Sequence, residues 1–567
     1  MNFLWMMIYS LSLCMILIKQ LIFAFGITIF LASCDTETDS IKADLIITNA
    51  NIWTGNSDSP KAEAMAIKED TILAIGSAVD IQKFQGKYTE VIDVQNKFIT
   101  PGFIDTHVHL LMGGNSLLSV QLRDAKTKNE FINRIATFAK DIKPNQWIVE
   151  GNWDHTLWGG ELPAKEWIDE FTGENPVAIY RMDGHMILAN SAALKIAGID
   201  KNTANVENGE IVKNSNGTPT GILKSEAMYL VLNKIPSLTN VQKEEAINAA
   251  QDYLISQGVT SIHDVDSLGG YEVLKTMKSA KKLKIRVYSA NPIKNWKSIP
   301  KTTNEPNMLK NGLMKGFVDG SLGSHTAAFN EPYSDKIEDK GLFIVDVDSL
   351  YQWVSNTDNK NLQVTVHAIG DRANNTILNI FERVIEENGN KDRRFRIEHA
   401  QHLAKDDINR FSELNVIASV QPYHAIDDGR WAEELIGKER IKTTYAFKSL
   451  LDANTTLVFS SDWPVAPASP IYGIYAAVTR QTTDGKNPEG WVPEQKITAA
   501  EALIAYTKNA AYSSFDENIK GTLEPGKLAD FVILSDDLLT KEPNAIKDVH
   551  VLETYIGGKK VFGEDLD

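Results

Sequence analysis

Short apolar runs alternate with longer helix-like stretches through the middle of the chain. Continuous apolar strands separated by helices are typical of a parallel sheet that is covered on both faces. Eight such runs can be counted: KFITPGFIDTH, followed by residues 259–265, 284–290, 313–320, 362–368, 395–400, 416–422 and 456–462. They predict an α/β fold, a (β/α)8 TIM-like barrel, in which the active site lies at the carboxyl ends of the strands.

Strand-like runs also lie at both ends of the chain, punctuated by Gly or Asn. Neither group has enough strands for a well-covered sheet, so we expect the two to pair into one small β-sandwich domain, formed by residues 43–100 and 520–567. The barrel then spans residues 101–519. It carries an insertion at about residues 110–258, where NQWIVEG and NPVAIYR also have the composition of strands.

The first 33 residues are almost uncharged and strongly apolar, and LASC follows at residues 31–34. This ending resembles a bacterial lipobox, and a polar segment comes directly after it. We therefore predict a lipoprotein signal peptide at 1–33, lipidation of Cys34 and a tether at 34–42. An uncleaved membrane anchor and an ordinary signal peptide are the alternatives, and a start at Met15 would still give a complete signal. The predicted location is the bacterial cell envelope, with the lipid-anchored protein facing the periplasm or the exterior.

Net charge and cysteine content narrow the possible partners and sites. The chain of 567 residues has a formal net charge of -16 and shows no cluster of Lys and Arg, which disfavours a nucleic-acid partner. Its two cysteines, Cys14 and Cys34, both lie in the leader. The mature domain therefore has no disulfide and no thiolate ligand, so a metal ion would be held mainly by His and carboxylate groups.

Bulky polar residues end five of the eight predicted strands. They are His107 and His109 on the first, Lys315 on the fourth, His367 on the fifth, His399 on the sixth and Asp462 on the eighth. Singly, a strand-end His is more often a structural residue and a strand-end Asp a helix cap. A closed barrel brings all of them together, and four neutral imidazoles with a carboxylate suit Zn2+ or a similar divalent ion. We predict one or two such ions per chain.

Several motifs combine these residues with their neighbours: FIDTHVH, MKGFVDGSLGSHTA, HAIGD, RIEHAQ and SSDWPV. The set resembles the amidohydrolase superfamily, in particular the branch typified by N-substituted formamide deformylases, and the likeness runs from about Ala43 to the C-terminus. The resemblance implies a metal-centred barrel with a β-sandwich, and a carboxylated lysine, here Lys315, that bridges two metal ions. Glu226 is an alternative ligand or bridge, although a structural salt bridge is the simpler role for it. A mononuclear site is also open.

The predicted chemistry is hydrolysis of a non-peptide carbon–nitrogen bond, of amide or N-formyl type, in a small-molecule substrate. A metal-bound hydroxide would attack, and Asp462 would act as general acid and base. His185 or His325 would help to stabilise the oxyanion, although His185 can instead be a substrate contact or a buried hydrogen-bonding residue. Trp153, His155 and Trp158 line the pocket or belong to the core.

Two other functions compete with this one. The same metal barrel can act as a deaminase, a cyclic imidase or an isomerase, because one fold supports many chemistries. A lipoprotein that binds a ligand without turnover is the third possibility. The complete set of His, Lys and Asp side chains favours an enzyme.

Overall fold

The computed structural model describes residues 41–182, 184–207, 209–266, 269–300 and 308–564. The predicted signal peptide, the predicted lipidation site Cys34 and most of the predicted tether lie outside the described residues. Within those ranges, no helix combines the length and the apolar composition that crossing a membrane requires.

The strands are numbered in chain order. They are β1 (Leu45–Thr48), β2 (Asn51–Trp53), β3 (Lys61–Ala62), β4 (Ala64–Lys68), β5 (Thr71–Gly76), β6 (Glu90–Asp93), β7 (Phe98–Pro101), β8 (Phe103–Val108), β9 (Ile148–Trp153), β10 (Val177–Arg181), β11 (Met186–Ala189), β12 (Gly209–Lys213), β13 (Pro219–Ser225), β14 (Val259–Asp264), β15 (Arg286–Pro292), β16 (Leu309–Phe317), β17 (Gln363–Ala368), β18 (Arg396–His399), β19 (Ile417–Val420), β20 (Leu457–Phe459), β21 (Phe531–Leu534), β22 (Val551–Ile556) and β23 (Lys559–Phe562).

Helices fill much of the chain between these strands. The α-helices are Ala78–Gln82, Leu110–Leu117, Lys128–Asp141, Asp169–Thr172, Ser191–Ala197, Tyr229–Leu232, Asn240–Ser256, Tyr271–Ser279, Val347–Asn359, Asp371–Asn388, Ile408–Glu413, Pro422–Asp428, Ala432–Arg440, Phe447–Asp452, Pro470–Thr479, Ala499–Tyr506 and Lys508–Tyr512. Short 3-10 helices are His155–Trp158, Lys165–Trp167, Glu226–Met228, Ile293–Ser298, Lys405–Asp407, Ile441–Thr443, Pro493–Gln495 and Pro543–Asp548.

A sheet of eight parallel strands, in the order β8-β14-β15-β16-β17-β18-β19-β20, forms the barrel. Its ends meet where Val108 and Trp463 form a parallel bridge and the Asp462 amide donates to the His107 carbonyl at 2.9 Å. On β17, the alternate residues Val364 and Val366 join the apolar core outside the sheet. The predicted TIM-like barrel is confirmed.

The two ends of the chain together build a pair of smaller sheets. One has the order β5-β4-β1-β6 and the other β23-β22-β21-β7-β2-β3. In the second sheet, β21 runs antiparallel to β7, with Ile533 opposite Ile99. Ile47, Ile67 and Phe531 belong to one buried cluster. The predicted pairing of the chain ends into a small β-domain is therefore confirmed.

A separate five-stranded sheet lies in the chain between β8 and β14, with the order β12-β13-β11-β10-β9. It has an apolar core of its own, in which Phe131 and Ile135 of helix Lys128–Asp141 pack with Ile179 of β10. The predicted insertion thus contains a sheet that is distinct from the barrel.

Two glycines let the helix that follows β8 approach its neighbours closely. A Cβ atom on Gly113 would lie 2.2 Å from the Trp463 ring, and one on Gly114 would lie 2.0 Å from the Ala246 carbonyl oxygen. A side chain at either position would therefore push Leu110–Leu117 away from helix Asn240–Ser256 and from the segment after β20. The close packing fixes the chain directly after His109.

Candidate metal centre

The six predicted strand-end residues lie at or near the carboxyl ends of the barrel strands. They are His107 on β8, His109 two residues further on, Lys315 on β16, His367 on β17, His399 at the end of β18 and Asp462 just after β20. His399 and Asp462 have φ angles of 73° and 60°. L-residues rarely adopt such left-handed conformations, and they are enriched at functional sites.

His107, His399 and Asp462 form the middle of this group. One donor atom from each lies within 4.8 Å of the others, and all three residues are buried. His107 Nε2 lies 3.3 Å and His109 Nε2 lies 3.2 Å from Asp462 Oδ1. Ligands of a tetrahedral zinc ion are about 3.4 Å apart, because each lies about 2.1 Å from the metal. The spacing therefore fits one divalent ion between these side chains.

His367 completes a row of imidazoles. Its ring centroid lies 4.5 Å from that of His399, which is itself 5.0 Å from that of His107. His367 Nε2 donates to the Gly320 carbonyl at 2.9 Å. This bond leaves Nδ1 as the nitrogen with the free lone pair, so Nδ1 is the atom that can bind a metal ion.

Burial keeps these imidazoles neutral. Burial, reinforced by the Lys315 charge, lowers the pKa of His107 and lowers that of His367 to about 3. The pKa of His399 lies well below its usual value because of burial and the neighbouring His367. Neutral imidazole is the form that binds metal ions.

Asp462 and His109 shift each other's pKa in opposite directions. Burial acts to raise the pKa of Asp462, but the electrostatic interaction with the nearby His107 ring and the hydrogen bond from His109 outweigh it and hold this pKa far below its usual value. Burial acts to lower the pKa of His109, and the hydrogen bond and charge of Asp462 reverse the shift, so the pKa is raised. Asp462 is consequently an ionised carboxylate that can accept a proton or bind a cation.

Lys315 is a buried amine that has no hydrogen-bond partner among the described residues. Burial lowers its pKa to about 8, which raises the fraction of neutral amine at neutral pH. Buried polar atoms are almost always paired, and an unpaired one calls for an explanation. Lys315 Nζ is thus free of hydrogen bonds within the described residues, and it lies 4.9 Å from the centroid of the Phe317 ring.

Glu398 holds His107 from inside the barrel, and the sequence analysis did not select it. His107 Nδ1 donates to Glu398 Oε2 at 2.6 Å, and Arg396 Nη2 donates to Glu398 Oε1 at 2.7 Å. Arg396 and Glu398 are both completely buried. Because Nδ1 is occupied, His107 presents Nε2 to Asp462. The signal was present in RIEH: two charged residues at alternate positions of an apolar strand point to the same side.

His399 has a similar support. Its Nδ1 donates to Gln421 Oε1 at 2.8 Å, and Gln421 Nε2 donates to Ser460 Oγ at 2.9 Å. The amide of Gln421 is thus oriented by Ser460, and the ring of His399 by Gln421. Three adjacent strand ends fix the tautomer in which Nε2 of His399 is free to bind a metal ion.

His424 was also missed by the sequence analysis. It lies on helix Pro422–Asp428, and its ring is nearly parallel to that of His399, with the centroids 6.5 Å apart. Its Nε2 is buried and has no hydrogen-bond partner in the described part of the chain. A histidine beside the centre thus has an unengaged ring nitrogen.

Three residues predicted to line the pocket lie in the insertion. Trp153 is completely buried in the core of the insertion sheet and donates to the Ile179 carbonyl at 2.9 Å. The prediction that it contacts substrate is wrong, and the alternative that it belongs to the core is correct. Trp158 donates to the Glu161 carbonyl at 2.9 Å, and His155 accepts from Arg181 Nε at 3.4 Å.

His185 and Glu226 are also in the insertion, and both are exposed. The alternative that His185 is a buried residue is therefore wrong, and a substrate contact remains its predicted role. Glu226 begins the 3-10 helix after β13. It does not belong to the group of His and acidic side chains found around Asp462 within the described ranges, so nothing in the structure supports its alternative role as a ligand.

His325, the other predicted oxyanion donor, lies in the long loop after β16. Its Nε2 is 2.9 Å from Asp335 Oδ2, and its ring lies 4.6 Å from that of Tyr333. A hydrogen bond with Asp335 thus engages Nε2 of this ring.

The fold and this centre define a class of protein, the TIM-barrel metal-dependent hydrolases. Residues 90–562 match the amidohydrolase family. The chain belongs to this family. Members of this family use a divalent metal, and the group of His107, His399 and Asp462 could hold one.

Three proteins of known sequence are similar to this one along nearly its whole length. Protein LONG AFTER FAR-RED 3 of Arabidopsis thaliana is 41% identical over 550 residues, covering 93% of each chain. The putative amidohydrolase YtcJ of Bacillus subtilis (strain 168) is 29% identical and covers 90% of this chain and 98% of its own. The N-substituted formamide deformylase of Arthrobacter pascens is 26% identical, and the match covers 91% of this chain and 97% of the deformylase.

Two solved structures are similar to this one. An uncharacterized metal-dependent hydrolase from Pyrococcus furiosus has a TM-score of 0.73 at 29% identity, covering 88% of this chain and 100% of its own. Another, from Pyrococcus horikoshii OT3, has a TM-score of 0.74 at 29% identity, and the match covers 88% of this chain and 99% of its own. The protein is thus a metal-dependent hydrolase of the amidohydrolase family.

Proposed function

We propose that this hydrolase cleaves a non-peptide carbon–nitrogen bond, of amide or N-formyl type, in a small molecule. The observation that carries the proposal is the buried group of His107, His399 and Asp462, whose donor atoms lie within 4.8 Å of one another. The name of the Arthrobacter pascens relative, N-substituted formamide deformylase, supports the type of bond.

The donor set fits a divalent ion, and we propose Zn2+. His107, His109, His367, His399 and Asp462 are the proposed ligands, since neutral imidazoles and one carboxylate are the donors that this ion prefers. When bound, the ion supplies Lewis acidity, which polarises a carbonyl group and lowers the pKa of water.

We propose further that Lys315 is carboxylated. Its neutral amine would attack carbon dioxide, forming a carbon–nitrogen bond and releasing a proton, and the product is a carbamate with two oxygen donors. The unpartnered, buried Nζ and its lowered pKa support this modification. A carbamate can bridge two ions, so the modified centre would be binuclear.

The residues of the chain then have separate tasks. Asp462, ionised and buried, accepts the proton of the attacking water and returns it to the leaving nitrogen. Glu398 and Gln421 hold the rings of His107 and His399. His424 is a better candidate than His325 for the donor to the developing oxyanion, because its Nε2 is unengaged.

The test is a metal assay followed by turnover measurements. We expect metal-replete protein to hydrolyse one or more members of a panel of N-substituted formamides and simple amides, and chelator-treated protein to lose that activity. Cyclic imides and aromatic amines are included in the panel. Turnover confined to them would replace the proposed reaction with imide hydrolysis or deamination, and metal without any turnover would favour a binding protein.

For the location, we propose a lipid anchor at Cys34 in the bacterial cell envelope, supported by the LASC sequence at residues 31–34. Mass spectrometry of the mature N-terminus should find a diacylglyceryl cysteine, and Cys34→Ala should move the protein from the membrane fraction to the soluble fraction. An unmodified N-terminus upstream of Cys34 would contradict the anchor.

A further inference from the structure

A cavity of about 510 Å³ opens beside the metal centre. His109 and Lys315 border it on the side of the centre. Its volume lies within the range of small-molecule sites, about 300–1,000 Å³. Its position makes it the part of the site that would hold the non-reacting portion of a substrate.

The walls away from the centre are mainly apolar. They include Met112, Val265, Ile293 and Phe317, together with Trp353 of helix Val347–Asn359. A polar substrate group placed against these side chains would lose its hydrogen bonds to water without replacement, which costs free energy. The lining therefore selects an apolar group.

Two of the lining side chains are unusually exposed for large apolar residues. Phe317 is 44% and Ile344 is 52% exposed. The Ile344 amide donates to the Val318 carbonyl at 2.9 Å, so the segment that carries Ile344 is bonded to the chain just after Phe317. Exposed apolar groups that border a concave site are a common mark of ligand contact.

The cavity is built on rigid elements. Pro292 of β15 pairs with Lys315 of β16 in the barrel sheet, and both residues line the cavity. The ring of Phe317 lies 5.4 Å from that of His367. The apolar wall therefore keeps a fixed position relative to the metal centre, as pre-formed ligand sites do.

Charge is sparse in this lining. Among the described residues that line the cavity, the charged groups other than His109 are Asp266, Lys294 and Lys315. Lys315 lies at the centre, and Lys294 is exposed. The amide of Met112 donates to Asp266 Oδ2 at 2.9 Å. The charged groups are thus few beside the apolar side chains of the same lining.

We propose that this cavity binds a neutral apolar substituent of the substrate, of the size of an aromatic ring or a branched alkyl group. The inference rests on the proposed function, because it takes the amide or N-formyl group to react at the adjacent centre. Phe317 and Ile344 are then the residues that select for this apolar substituent.

The first experiment measures binding without turnover. Calorimetry compares N-benzylurea with N-methylurea, two neutral ureas of different apolar size, on the purified full-length protein. We expect N-benzylurea to bind at least ten-fold more tightly, since each buried methylene contributes about 0.8 kcal/mol. Equal affinities for the two ureas would overturn the proposal.

The second experiment uses variants and substrates. Phe317→Ala and Ile344→Ala should each lower kcat/KM for N-benzylformamide about ten-fold more than for N-methylformamide. Ile337→Ala is the matched control, because Ile337 is 75% exposed and does not line the cavity, so it should leave both values unchanged. Metal content is measured on every variant, since Phe317 contacts His367.

The outcomes separate this inference from the proposed function. Turnover of formamides with no dependence on the apolar substituent, in wild type and in both variants, would overturn the inference and leave the function standing. Preferential binding of N-benzylurea that is lost in Ile344→Ala, without turnover of any formamide or amide, would support the pocket and contradict the function.

Discussion

The buried carboxylate of Glu398 gives the sharpest test of how the metal centre is held. Glu398→Gln keeps the shape of the side chain and one acceptor oxygen but removes its charge. In the structure, Glu398 accepts from His107 at 2.6 Å and from Arg396 at 2.7 Å, with all three side chains almost fully buried. The change therefore loosens a metal-binding ring and leaves a buried guanidinium without its counter-charge.

The structure gives an expected size for two effects of this change, the loss of metal affinity and the loss of folding stability. Loss of a carboxylate that orients a ligating histidine weakens metal binding about 10–100-fold, which corresponds to about 1.4–2.7 kcal/mol. Breaking a buried ion pair by removing one partner costs about 3–5 kcal/mol of folding stability. Because Gln retains one acceptor, we expect a value near the lower end, about 3 kcal/mol.

The assay pairs two measurements on one preparation. Competition with a chromophoric chelator gives the metal Kd, and urea unfolding of the metal-free protein gives the stability. Glu387→Gln is the control: the same substitution disrupts the exposed pair between Glu387 and Arg383, and we expect no measurable change in either quantity.

Either of two results would refute the reasoning. If Glu398→Gln lowers stability but leaves the metal Kd within two-fold of wild type, then Glu398 only balances the charge of Arg396 and does not position His107. If both quantities are unchanged, neither contact has the energetic role that its burial implies.

Four further predictions concern individual side chains of the centre. His107→Ala should remove metal and activity together and lower the thermal stability, since a bound ion favours the native state; full metal occupancy by elemental analysis would exclude His107 as a ligand. Lys315→Ala should lose about half of the metal if a carbamate bridges two ions, with activity partly restored by short carboxylic acids, whereas an unmodified lysine mass in metal-replete protein would count against carboxylation. Asp462→Asn should retain most of the metal and lower kcat about 10²–10⁴-fold, and parallel loss of metal and rate would reduce Asp462 to a ligand. His424→Phe should lower kcat with little change in metal content, by about 10²–10³-fold if His424 stabilises the oxyanion; unchanged kcat would remove it from the mechanism.

The sequence by itself determined the barrel and the identity of most residues at its centre. Buried parallel strands must be apolar along their whole length, so eight such runs could be counted. Polar residues that end these runs, such as His107, His399 and Asp462, stood out because the rest of each strand is apolar. Barrel closure is a general property of the fold, so their convergence could be predicted without coordinates.

Only the tertiary structure decided which side chains support that centre and which do not touch it. Glu398 and its partner His107 lie on different strands, and Gln421 and its partner Ser460 follow two further strands. Which side chains meet there depends on how distant segments pack in the closed barrel, and a local sequence pattern does not encode that packing. Trp153 is an aromatic residue with a polar group, a type that is common in pockets, yet the insertion folds around its own core and buries it. The sequence predicted His325 as a possible donor to the oxyanion, but the loop after β16 brings Asp335 to its ring. Strand composition follows from burial, which acts on each residue separately, whereas contacts between distant segments exist only after the chain has folded.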